Sequence, residues 1–110
     1  MGKILVQEFD QKRTDEIRVY GFDFIDKLPS GDGVSSATWT VTVHKGTDAS
    51  PSSMISGAEI ISGTIVEQLI TGGTDGVTYL FECEAVSDGS PAQTLHGVGL
   101  LEVTDDVKAA

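Results

Sequence analysis

The sequence predicts an all-β protein, an antiparallel sandwich of about seven strands. Three observations predict it. Helical periodicity is almost absent. Two long segments alternate strictly between apolar and polar residues. Turns rich in Gly, Ser and Asp divide the chain at strand-length intervals. The 110 residues suit one domain, which we read as residues 1–104 with a frayed tail at 105–110.

The clearest strand runs from Val34 to His44. Ala37, Trp39, Val41 and Val43 fall on one face, and Thr38, Thr40, Thr42 and His44 on the other. Such alternation means one buried face and one wet face. The second runs from Val77 to Val86, with Val77, Tyr79, Phe81, Cys83 and Ala85 on the inner face and Glu82 and Glu84 pointing away. Ile4 to Phe9 reads as the first strand. Ile17 to Ile25 is another, with Tyr20, Phe22 and Phe24 on one side. Ile17 and Val19 lie on its other side, which suggests a register change or burial on both faces. Glu59 to Ser62 and Thr64 to Ile70 are two short strands divided by Gly63. Gln93 to Thr104 is the last, and Gly97 and Gly99 within it imply a bulge or a close backbone approach. Pro29–Gly33, Gly72–Gly76 and Ser87–Pro91 supply the turns, the last as a hairpin.

Two residues sharpen the fold. Trp39 lies on the third strand, the position that fills the space between the sheets of an immunoglobulin-like sandwich. Tyr79 enters the sixth strand four residues after Asp75, as in a tyrosine corner, where the hydroxyl ties down the preceding turn. The cysteine usual two residues after that tyrosine is Phe81, and Cys83 is the chain's single cysteine. Aromatic packing among Trp39, Phe81 and the Tyr20–Phe24 group is therefore expected to replace the inter-sheet disulfide. A disulfide-free core suits assembly in a reducing cytoplasm.

Charge is unevenly placed. The net charge is −10. Residues 1–45 carry about −1 of it, and residues 46–110 about −9. Clustered Lys and Arg are lacking, so sequence-blind nucleic-acid binding is not expected. The acidic half reads either as a solvated surface or as a face for a basic partner or a neighbouring copy. No apolar run approaches a membrane span, and the Ile4–Val6 cluster is too short for an export signal.

Catalytic and metal chemistry find little support. His44 and His96 are far apart in sequence and read as surface histidines rather than metal ligands. No Gly-x-Ser-x-Gly elbow occurs. Gly72–Gly76 is glycine-rich but has no lysine and no following helix. Glu82 and Glu84 share an exposed face and read as solvated. Cys83 lies on the apolar face as an inert thiol. No cofactor or metal is expected. The longest loop, Lys45–Ser56, is harder to dismiss. It reads either as a plain crossover with Met54 and Ile55 tucked into the core, or as a docking loop. Its docking candidates are Asp48, Ser50, Pro51, Met54 and Ile55; Glu82 and Glu84 are candidates on the strand face. In the docking reading, Met54→Asp spares folding and blocks assembly. Strand addition at a sandwich edge is a second docking route.

Several phrases are distinctive in order and spacing: Phe22-Asp23-Phe24, Gly31-Asp32, Ala37-Thr38-Trp39-Thr40-Val41, Gly46 to Ser52, Ile61-Ser62-Gly63-Thr64, Gly76 to Leu80 and Ser87-Asp88-Gly89. Over Tyr20 to Val103 the chain resembles the small immunoglobulin-like structural proteins of tailed bacteriophages described as fibre–tail adaptors. It departs from them at Phe24, where Trp is frequent, and at Pro91 after the last turn. The resemblance implies a virion protein without enzyme activity, made and assembled in the host cytoplasm. Its partners would be tail, fibre, neck or capsid proteins, or further copies of itself, with no nucleic acid and no membrane. Capsid decoration and a glycan-binding or host-surface module are the alternatives; the last predicts exposed aromatic rings.

Overall fold

A computed structural model describes residues 4–105, with side chains from Val6 onward. It contains seven strands: β1 (Ile4–Glu8), β2 (Ile17–Asp23), β3 (Val34–Lys45), β4 (Ile55–Ser62), β5 (Ile65–Thr71), β6 (Val77–Ser87) and β7 (Thr94–Val103). Short 3-10 turns span Ile25–Lys27 and Pro51–Met54. The strands form a four-stranded sheet in the order β1-β7-β6-β3 and a three-stranded sheet in the order β2-β5-β4. This is the immunoglobulin-like arrangement. One pairing departs from the expected antiparallel pattern. β1 runs parallel to β7, because it joins the sheet opposite β2.

The alternation read from β3 and β6 holds. Ala37, Trp39 and Val41 are buried opposite Ala85, Cys83 and Phe81, while Thr38 and Thr40 lie outside opposite Glu84 and Glu82. Cys83 is wholly buried, and burial pushes its thiol up to about 12, so it is inert at neutral pH. Rings take the place of the absent disulfide. Phe22 packs 5.3 Å from Trp39 and 5.4 Å from Phe9, and Trp39 stands edge-on to Phe81 at 6.5 Å. Such pairs add about 0.5–1.5 kcal/mol each beyond the area they bury.

β4 is longer than expected, because its first half is a bulge. The register with β5 breaks between Ser56 and Ile60. The buried Gln68 side chain donates from Nε2 to the carbonyls of Ser56 and Gly57, at 2.9 and 3.1 Å. A polar side chain thus satisfies backbone groups that the ladder leaves open.

Lys12 is 1% exposed, which its residue type does not announce. Its Nζ donates to the carbonyls of Gly72 and Arg13, at 2.6 and 2.8 Å. Burial lowers its pKa below 10.5, opposed by the nearby carboxylates of Glu16, Asp15 and Asp105. Lys12 therefore staples the segment before β2 to the turn before β6. Asp105, the first residue of the tail expected to fray, is held in place. Asp105 accepts bonds from the Thr14 backbone and hydroxyl and donates its own N–H to Asp75. Residues 106–110 lie outside the described residues.

Candidate docking surfaces

The loop after β3 is a fixed structure. Gly46 turns the chain at φ 105°, a left-handed conformation that suits glycine. Asp48 Oδ1 accepts the Ser50 N–H at 2.8 Å. Its Oδ2 accepts the Tyr79 hydroxyl at 2.6 Å. That same hydroxyl accepts the Thr74 N–H at 2.9 Å. The tyrosine corner predicted at Tyr79 is present, and it holds two segments at once. Its second partner, Asp48, lies 31 residues away and leaves no local signal. Asp75, which suggested the corner, bonds Asp105 instead.

Pro51 opens the 3-10 turn, and the turn rotates Met54 inward to 1% exposure. Ile55 is half-buried against the core. Of the loop candidates only Ser50 stands fully exposed, among Ala49, Ser52 and Ser53. Met54 lies in the core, as the crossover reading has it, and its side chain has no surface to offer. What the loop presents is a small polar knuckle.

The hydrogen bond from Tyr79 and that from the Ser50 N–H hold Asp48 below the usual carboxylate range. A depressed folded-state pKa means that the unfolded chain binds the proton first as pH falls. The resulting stability is present above the ordinary value of 3.8 and is lost as pH falls through and below it. Asp105, bonded by Thr14, acts with the same sign. We expect Tyr79→Phe to lower stability by about 1–2 kcal/mol at pH 7. Thermal melts at pH 7 and pH 3 should show a smaller acid-induced loss in the variant than in the parent. An equal loss in both would mean that Asp48 draws no stability from Tyr79.

Glu82 and Glu84 point out of the four-stranded sheet, as expected. With Thr38, Thr40 and His96 they line a polar hollow of about 210 Å³. His96 Nδ1 lies 3.3 Å from Glu82 Oε2. On the same sheet face Val6, Leu80, Val98 and Leu100 border a second, apolar hollow of about 390 Å³ beside His44.

The outer face of the three-stranded sheet is more apolar. Ile17 (67% exposed), Val19 (50%), Ile60 (54%) and Ile65 (39%) all point outward there. Half-buried Leu69 and Glu67 lie between them. These are four of the six large hydrophobic side chains that stand exposed among the described residues. The sequence did hold a trace of this face: Ile17 and Val19 make β2 apolar on both sides. Among the described residues nothing buries the second side.

Among the described residues no group of three or more His, Cys, Asp or Glu could hold a metal ion, and no helix is long and apolar enough to cross a membrane. Fold and surface together define a small immunoglobulin-like domain whose notable features are faces rather than a cleft. From Lys12 to Thr94, the first residue of β7, the chain matches the family model Gp77, the podophage GP4 fiber-tail adaptor protein gp77. The chain belongs to that family of phage structural adaptors. Among curated proteins no sequence matches it.

Proposed function

We propose that this protein joins a fibre component to the tail of a phage particle by docking, with no chemistry of its own. The observation that carries the proposal is the outer face of β2-β5-β4, on a chain of the fiber-tail adaptor family. Exposed isoleucines on a sheet face gain free energy only when a partner covers them. The rigid knuckle at Ala49–Ser53 would form part of the rim, since a loop already fixed loses little entropy on docking. The glycan-binding alternative lacks support in this geometry. All seven aromatic rings (Phe9, Tyr20, Phe22, Phe24, Trp39, Tyr79, Phe81) are buried, so none is free to stack on a sugar.

The test uses particles assembled without this protein and then supplied with it. Val19→Asp combined with Ile60→Asp, both exposed, should leave the circular dichroism spectrum and melting temperature close to the parent's. Binding to the particles and fibre attachment should fall at least about tenfold, the loss of a central apolar contact. Normal fibre counts with the folded double variant would move the docking surface off this sheet.

A further inference from the structure

The sandwich has four edge strands, and three of them are blunted. β1 is five residues long, and Gln7 Nε2 on it donates to the Gly21 carbonyl of β2 at 3.1 Å, tying two edges together. β2 also carries the charged Arg18 and Asp23. β4 is broken by its bulge, and Gln68 occupies the carbonyls there. Bulges, charges and short length are the usual means of keeping an edge from pairing with another chain.

β3 has none of these over its centre. The eight residues Ser36–Val43 pair with β6 in unbroken register, between irregularities at either end. They contain no charge, no Pro and no Gly, and are rich in Thr, Val and Trp. Their other side forms no ladder with any described strand. The open side is therefore a row of unpaired N–H and C=O groups on a strand of high β-propensity.

The surface beside this edge is specific in charge. Thr38 and Thr40 of β3 form the near wall of the 210 Å³ hollow, Glu82 and Glu84 of β6 its floor, and His96 of β7 the far wall, 3.3 Å from Glu82. An added strand would lie about 10 Å from β6, two strand spacings away. An arginine on it, passing over Thr38 or Thr40, spans that gap together with the glutamate's own length. Glu82 and Glu84 are two residues apart on one face, so they stand about 7 Å from each other, the spacing of alternate residues on a strand.

We infer that the β3 edge is a strand-addition site for an extended segment of another virion protein that carries Arg or Lys at two alternate positions. Main-chain pairing along Ser36–Val43 supplies the attachment, and Glu82 and Glu84 read the two cations. A second copy of this chain is a poorer occupant, because a charge of −10 on each partner opposes approach. This site is distinct from the apolar sheet face, and each can fail without the other.

The test is amide hydrogen exchange and titration with a synthetic eight-residue peptide. The peptide alternates valine and threonine and carries arginine at two alternate central positions. Alternate amides of Ser36–Val43 should gain protection. Glu82→Gln with Glu84→Gln, both surface changes that leave the melt unaltered, should weaken binding about tenfold at low salt. The same peptide with glutamate in place of arginine should not bind. The Val19→Asp and Ile60→Asp double variant should bind like the parent. Protection at β1, β2 or β4 instead of β3, absence of binding, or equal binding to the Gln variant would each overturn the inference. Dimerisation of the protein through Ser36–Val43 without peptide would overturn it in favour of a second copy.

Discussion

Met54→Asp should unfold the domain or cost it about 4 kcal/mol or more, and so cannot serve as a surface variant. Met54 is 1% exposed at the end of the Pro51–Met54 turn. Its methyl carbon packs against the turn before β6: a Cβ built on Gly73 would come within 3.0 Å of it and 2.9 Å of Val103. An aspartate there would replace a side chain of the apolar core. It must either stay charged in an apolar pocket or take up a proton, and both are costly. A typical domain has only about 5–15 kcal/mol to lose. Met54→Ala, which leaves a cavity and no charge, should cost about 3 kcal/mol. Ser52→Asp, two residues earlier and exposed, should stay within about 0.5 kcal/mol of the parent. Chemical denaturation of the three variants measures this directly. A folded Met54→Asp protein with parental stability would mean that the loop opens and Met54 is free to leave the core.

This case shows where the sequence is readable and where it is not. Alternation fixed the inner faces of β3 and β6, since each strand meets water on one side only. β2 was ambiguous for a physical reason. Ile17 and Val19 have the pattern of buried residues, and a pattern cannot say whether the burial is by this chain or by another. β4 was shortened because Gly57 and Ala58 sit in a bulge, where the two-residue period fails. Lys12 and Gln68 were missed as core residues: their composition says surface, and only the carbonyls of distant segments give them partners. The parallel pairing of β1 with β7 leaves no local trace, because pairing is decided between strands and not within one. Among the docking candidates Glu82 and Glu84 were placed correctly by alternation. For the loop residues the sequence left two readings open, and a 3-10 turn inserted between two strands sends Met54 inward, as in the crossover reading, and Ser50 outward.

At Gly97 and Gly99 the sequence allows a bulge or a close approach, and the structure has the second. Both pair in register on β7, with β6 on one side and β1 on the other. A Cβ at Gly97 would stand 2.8–3.1 Å from atoms of the Phe22 ring. Phe22 cannot step aside, because Phe9, Phe24 and Trp39 surround it with ring centres 5.4, 6.0 and 5.3 Å away. Gly97→Val should therefore cost about 3 kcal/mol, the upper range for overpacking a core. At Gly99 a Cβ would come still closer to Phe9, at 2.6 Å. Yet Phe9 is 8% exposed where Phe22 is 1% exposed, and it has room to tilt outward. Gly99→Ala should then cost less than Gly97→Ala, in spite of the shorter contact. The decisive experiment is a double-mutant cycle. Phe22→Ala alone should cost about 4 kcal/mol. Combined with Gly97→Val the total should fall short of the sum by at least about 1 kcal/mol, because each change makes room for the other. Strict additivity would mean that Gly97 is needed for the strand and not for the ring. The glycines of β7 would then be a matter of backbone conformation, and the fit of one sheet's rings onto the other's bare backbone would not be what closes this disulfide-free sandwich.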